Sequence, residues 1–336
     1  MPIRHLIITI WLLCIGLTPL FALSFSMAGA TSVSSWIQRV TPMVYEELGV
    51  SMNYQPIGSQ KGVLSLAKQD NILAISDVSL QAFDDYPIQQ YTQIPIVLTG
   101  IAIVVNLPDI PVLKLNSHLL SDIITGAISQ WNDPRIQTIN HTVSLPPLPI
   151  QWIGRKAPNG TDYTLSRFLS LTHADWQSKT GVQWVLPTTR PQAQSDDVAK
   201  AVSQTPGGIG CTDAHLADSH HLLSAAIQNQ QGHYVTPTQE TIRLAAMDSQ
   251  SPDQLLNTQH PAGYPLSNVA WAIIPSQLDQ RLGYQESKTL TQLLWWLIQS
   301  GQIEAESMGL APLSPTVLKW SKQALYTIRY DDVILR

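Results

Sequence analysis

The apolar positions of this chain keep two rhythms that alternate along its length. "LSFSMAGA", starting at Leu23, reads as a strand; a helical stretch runs from Ser32 to Leu48; "VSMNYQPIG" is a second strand; another helix continues through Leu66; and "NILAISD" is a third strand. Strand, helix and strand in this order predict a parallel α/β sheet. The most continuously apolar stretch, "IPIVLTGIAIVVNLP", predicts a buried strand or strand pair and a candidate crossing between two lobes. A second region follows, with a helix at "LLSDIITGAISQW", a proline-rich loop "SLPPLPIQWIG", the stretch "GRKAPNGTDYTLSRFL", a helix from Asp196 to Ser203, and a polar segment from Asp248 to Gln259. After "YPLSNVAWAIIP", one amphipathic helix is expected from Lys288 to Ser300, with Leu290, Leu293, Leu294 and Leu297 at helical spacing and Trp295-Trp296 packing it onto a core. No internal repeat or low-complexity tract interrupts the pattern.

Composition narrows the partners. Arg4 and His5 precede an apolar run from Leu6 to Leu17 that breaks at Thr18-Pro19, so residues 1–22 read as a secretory signal peptide and the protein as exported. That run is short for a membrane span, and only with Leu20 to Phe25 added would it become an uncleaved anchor. Cys14 follows Leu13, where a lipoprotein signal would carry a small residue. Charged residues are 13% of the chain and the net charge is -5, which leaves no basic footprint for nucleic acid. Beyond the leader only Cys211 remains, so stability must come from packing, and the length suits two lobes.

Three places set a glycine with Ser, Thr or Asn before a helix start: Gly29-Ala30-Thr31-Ser32, Gly58-Ser59-Gln60 and Asn159-Gly160-Thr161-Asp162. Helix N-termini carry unpaired N–H groups and positive partial charge. Each alone is an ordinary cap. Converging on one cleft beside Arg155, whose guanidinium is a fixed fork, they would form an oxyanion seat. Asp77 closes "LAISD" at the carboxyl end of a strand, where ligand crevices of open α/β sheets lie; a helix cap or an ion-pair partner is the alternative role. Within an anion seat its carboxylate would accept the proton of hydrogen phosphate and oppose sulfate, which has none to give.

The segments "MAGATS", "NYQPIGSQKGV", "AISD", "LLSDIITGAISQWNDPRI", "RKAPNGT", "TPGGIG" and "LLWWLIQSGQIEAESMGLAPLS" occur in the order found in the periplasmic phosphate-binding proteins of ABC-type phosphate importers, which the chain resembles from about Phe25 to Trp320. The resemblance implies an α/β, bilobal periplasmic-binding-protein fold (type II, Venus-flytrap), with two α/β lobes joined by a two-crossing hinge. Lobe I would comprise residues 23–103 and 265–336, and lobe II residues 104–264. Carried over position by position, it implies phosphate contacts from Thr31, Ser32, Ser59, Asp77, Arg155, Asn159, Gly160 and Thr161, with no cofactor and no metal. The implied partners are inorganic phosphate and a membrane-embedded ABC permease, and the expected state is a periplasmic monomer. This chain departs from the family at Ser32, where Phe is common; at Asn159, where Ser stands; at Ala157, where an acidic residue orients the arginine; and at Gln60 and Lys61, which replace small residues.

No nucleophile elbow, zinc-protease motif, P-loop lysine or dinucleotide fingerprint occurs, so catalysis is not expected. Asp213, His215, Asp218, His220 and His221 fit no standard zinc spacing, and Cys211 reads as a small buried residue. A phosphate sensor, a binder of another oxyanion or phosphorylated compound, or a homologue with a structural cleft would share these residues.

Overall fold

The computed structural model describes residues 23–83, 86–173, 176 and 185–335; the leader read at residues 1–22 lies outside the described residues. The alternating rhythm becomes β1 (Leu23–Gly29), α1 (Ser34–Leu48), β2 (Val50–Gln55), α2 (Ser59–Ala67) and β3 (Leu73–Ser76). β1 is the middle strand of this group and runs parallel to both neighbours, with Phe25 opposite Met52 of β2 and Ala28 opposite Ala74 of β3. α1 starts at Ser34 rather than Ser32, because residues 31–33 form a turn that carries the Ser32 hydroxyl to Asp77. Its buried face, Trp36, Ile37, Val40 and Val44, has the spacing of a helix packed on a sheet.

The long apolar stretch is a single strand, β4 (Tyr91–Val105), and not a pair. The elements that follow are β5 (Lys114–Leu115), α3 (Ser117–Ile124), α4 (Pro134–Ile139), β6 (Gln151–Arg155), α5 (Gly160–Thr172), β7 (Arg190–Gln192), α6 (Ser195–Ser203) and β8 (Gly208–Asp213). Next come α7 (Ala214–Ser219), β9 (Leu223–Ser224), β10 (Ala226–Gln228), β11 (Tyr234–Val235) and α8 (Gln239–Ala245). The chain then returns through β12 (Ser267–Pro275) to α9 (Tyr284–Ile298), α10 (Gly301–Ser307) and α11 (Pro315–Leu325).

The main sheet has the order β2-β1-β3-β12-β4-β8-β6-β7, and β9 also pairs with β4. β4 changes partner partway along: Tyr91 to Gly100 lie antiparallel to β12, and Ile101 to Val105 lie antiparallel to β8. One strand thus belongs to both lobes, and the molecule is a bilobal α/β protein. Separate cores support each side. Phe25, Met27, Trp36, Leu290 and Leu294 are buried in one, and Trp131, Ile153, Leu165, Phe168 and Ile209 in the other. Cys211 is a free thiol buried in the second core, and that burial raises its pKa well above the ordinary thiol value.

Candidate functional site

Strand ends and helix starts meet where the two lobes face each other. On the first lobe, β1 ends at Gly29 and β3 at Ser76, so the turn at residues 31–33, the start of α2 and Asp77 come together. The Ala30 N–H donates to the Ile75 carbonyl at 2.8 Å and the Gly58 N–H to the Gly29 carbonyl at 2.8 Å, which fixes both loops against the sheet. Ser32 Oγ donates to Asp77 Oδ1 at 2.7 Å and Ser59 Oγ to Oδ2 at 3.5 Å, while the Asp77 N–H donates back to Ser59 Oγ at 3.1 Å. Neither serine caps its helix through its side chain; both turn to the carboxylate.

On the second lobe β6 delivers Arg155 at its last position, and α5 begins five residues later at Gly160. Asn159 is the cap of α5: its Oδ1 accepts from the Asp162 N–H at 2.9 Å and its Nδ2 donates to the Ala157 carbonyl at 3.0 Å. Its side chain therefore serves its own loop. Gly160 abuts Asp77 so closely that a Cβ there would lie 2.9 Å from the Asp77 Cβ and 3.1 Å from its Oδ2. The space left between Ser59, Gln60, Val78 and Phe83 on one side and Asn159, Gly160 and Tyr163 on the other is about 10 Å³. Asn268, at the start of β12, joins the lobes by donating from Nδ2 to the Asp77 carbonyl at 2.7 Å and to Thr164 Oγ1 of α5 at 3.2 Å. Thr31 and Thr161 lie in the same turns, and neither side chain has a hydrogen-bond partner among the described residues.

Arg155 is 7% exposed. Its Nη1 donates to Ser195 Oγ at 3.1 Å, and its Nε is buried without a partner. Burial lowers its pKa, and Asp213, Asp162, Asp197 and Asp77 oppose that shift, yet Arg155 forms no ion pair among the described residues. Asp77 is pushed up to about 7, first by burial and then by the Asp213 carboxylate; the hydroxyls of Ser32 and Ser59 and the charge of Arg155 hold it from rising further. Asp162, 1% exposed, is raised to about 6 by burial, against the Leu186 N–H that donates to its Oδ2 at 3.1 Å. The Tyr54 hydroxyl donates to the Ala30 carbonyl at 2.5 Å and is itself raised by burial and then by Asp77.

Ser32, Ser59, Asp77 and Gly160 are thus in one place, with Arg155 within electrostatic reach. Ser195, Asp162, Asp213 and Asn268 were not singled out from the sequence as members of the site. Asp162 stands three residues after Asn159, a spacing that marks a helix first turn, and Ser195-Asp196-Asp197 is a helix-start composition; Asn268 carries no sequence signal. The run of Asp and His from Asp213 to His221 includes an ion pair to α6. His220 Nε2 lies 2.6 Å from Asp196 Oδ1, and among the described residues no group of three or more His, Cys, Asp or Glu could hold a metal ion.

Two α/β lobes that share β4, with loops from both meeting at a buried arginine and a half-buried aspartate, define a solute-binding protein of the hinged, two-lobed class. The chain belongs to the PBP superfamily: the family model described as "PBP superfamily domain" matches residues 22–300. Over nearly its whole length it is similar to periplasmic proteins of the PstS type. It is 29% identical over 333 residues to the phosphate-binding protein PstS of Haemophilus influenzae, covering 93% of this chain and 96% of that one. With the phosphate-binding protein PstS of Xylella fastidiosa the identity is 27% over 310 residues, covering 89% and 84%. Among solved structures, the high affinity periplasmic phosphate-binding protein PfluDING, bound with phosphate, superposes with a TM-score of 0.70 at 18% identity, covering 93% of this chain and 96% of that one. An ABC-type phosphate transport receptor from Vibrio cholerae gives a TM-score of 0.59 at 18% identity, covering 86% and 99%. At that identity these two structures bear on the fold.

Proposed function

We propose that this protein is exported, captures inorganic phosphate between its lobes and delivers it to an ABC-type phosphate permease. The observation that carries the reading is Arg155: a buried guanidinium with an unpartnered Nε, set at a strand end opposite Asp77. An arginine in that state is stabilised by an anion that accepts from its free edge. The similarity to the phosphate-binding PstS proteins supports phosphate as that anion.

Contacts are assigned to Thr31, Ser32, Ser59, Asp77 and Arg155, and to Asn159, Gly160 and Thr161 through the backbone N–H groups at the start of α5. Entry requires the lobes, residues 23–103 with 265–336 and residues 104–264, to part about the crossings at 100–106 and 264–268, since the space between Ser59 and Gly160 admits no more than one water in the closed form. Closure is a population shift driven by tighter binding in the closed state. Docking of that closed form on a permease would complete delivery, and binding rather than catalysis is the task of the cleft.

Calorimetric titration of the ligand-stripped protein with phosphate, sulfate and arsenate tests this. Phosphate is expected to bind and sulfate to give no heat. Arg155→Ala should weaken phosphate by more than roughly tenfold, the scale of a lost charge-assisted hydrogen bond. No heat with any of the three anions would refute an oxyanion role.

A further inference from the structure

Arg155 needs an acceptor to hold its guanidinium, and its own loop offers none: Lys156, Ala157, Pro158 and Asn159 contain no carboxylate. The acceptor is Ser195 Oγ, 3.1 Å from Nη1 and only 2% exposed. Ser195 is itself held from several sides. It is the first residue of α6, just after Gln194, whose N–H donates to Asp197 Oδ2 at 3.1 Å. Its carbonyl accepts from Thr212 Oγ1 at 3.0 Å, and Thr212 lies on β8, the strand beside β6. The hydroxyl is thus fixed relative to the strand that delivers the arginine.

In a guanidinium, Nη1 lies on the side of Cδ, while Nε and Nη2 present parallel N–H bonds along the other edge. With Nη1 occupied by Ser195 and Nε buried without a partner, the edge left for a ligand is the Nε–Nη2 fork, which matches two oxygens of a tetrahedral anion. The acceptor is also neutral. A carboxylate at this distance would form an ion pair and share the guanidinium charge, whereas a hydroxyl leaves that charge to the ligand.

We propose that Ser195 is a positioning residue that aims the Nε–Nη2 edge of Arg155 at the bound oxyanion without neutralising it. The proposal rests on the reading of the cleft as an oxyanion site, and it assigns to α6 a part in a seat otherwise built from α1, α2 and α5.

The test is a double-mutant cycle read by calorimetry with inorganic phosphate, using the purified protein, Ser195→Ala, Arg155→Ala and the double variant. Ser195→Ala should weaken phosphate by about tenfold, and in the Arg155→Ala background the same change should have less than about a twofold effect, since the residue acts through the arginine. Ser195→Thr, which keeps the oxygen, should restore affinity to within about threefold. Ser195→Gly, which also removes the oxygen, should match the alanine variant, and agreement between the two guards against a folding defect in either. Equal losses with and without Arg155 would mark a merely structural role and overturn the proposal, as would a Ser195→Ala protein that binds phosphate like the parent. If Arg155→Ala loses phosphate and Ser195→Ala does not, the oxyanion reading stands and this inference alone falls; if the parent protein binds none of phosphate, sulfate or arsenate, both fall.

Discussion

The Asp77 carboxylate sits in the cleft with a pKa near 7, so its charge changes close to neutrality. An aspartate raised in the folded state binds its proton more tightly there than in the unfolded chain. Between about pH 4 and pH 7 the folded state holds the extra proton, and stability falls as pH rises through that window. Asp162, raised to about 6, acts in the same direction. Ligand-free protein should therefore melt at progressively lower temperature from pH 4.5 to pH 7.5, and Asp77→Asn should flatten part of that slope; an identical slope in the variant would contradict the burial-driven shift. Selectivity follows the same group. On the proposed reading, ionised Asp77 would accept from hydrogen phosphate and repel sulfate, whereas protonated Asp77 could donate to sulfate, so the phosphate-to-sulfate affinity ratio should drop as pH falls from 8 to 5.5. Asp77→Asn should show a low ratio at every pH, measured by the same calorimetry. At Gly160, a methyl group would meet the Asp77 Cβ at 2.9 Å, so Gly160→Ala should hold the lobes apart and weaken phosphate at least several-fold with little change in melting temperature.

At the level of elements, tight contacts decide how helices seat on strands. Gly62 of α2 lies against Gly29 of β1, and a Cβ at residue 62 would come within 2.4 Å of the Gly29 Cα. Because backbone stands in the way and cannot swing aside, Gly62→Ala should lower stability by about 1–3 kcal/mol in urea unfolding and shift α2, with Ser59 at its head, away from Asp77. Most elements were legible because their apolar period was unbroken: β1, β2, β3 and α2 lie where the pattern put them. The last long helix shows the limit. Apolar spacing places its start at Lys288, but α9 begins at Tyr284, where the Glu286 carboxylate accepts from the Gly283 N–H at 2.8 Å and holds a first turn with no apolar stripe. It ends at Ile298, and α10 starts separately at Gly301, where a Cβ would press on Trp296 and Trp36. The predicted packing role of the Trp pair holds, with Trp296 Nε1 donating to Glu47 Oε2 at 2.6 Å and Trp295 edge-on to Tyr326. Within the site, residues placed by local turns could be read from the chain, as with Ser32, Ser59 and Gly160. Asn268 and Ser195 could not, since each matters only through partners about 190 and 40 positions away.

Across the whole molecule, Asn268 ties Asp77 to Thr164 and so ties one lobe to the other. Asn268→Ala removes both bonds, and the expected result is a larger ligand-free radius of gyration by small-angle X-ray scattering, recovered when phosphate closes the cleft; an unchanged radius would mean that other contacts hold the closed form. The strand order of the main sheet has a further consequence. β12 lies between β3 and β4, yet its residues are the 267th to 275th of the chain, so the first lobe has a gap in its sheet until four-fifths of the polypeptide has been made. The nascent chain can close the second lobe early but must carry the first with two facing strand edges unpaired. During synthesis, this order of assembly leaves the facing edges of β3 and β4 open until β12 arrives to pair with both.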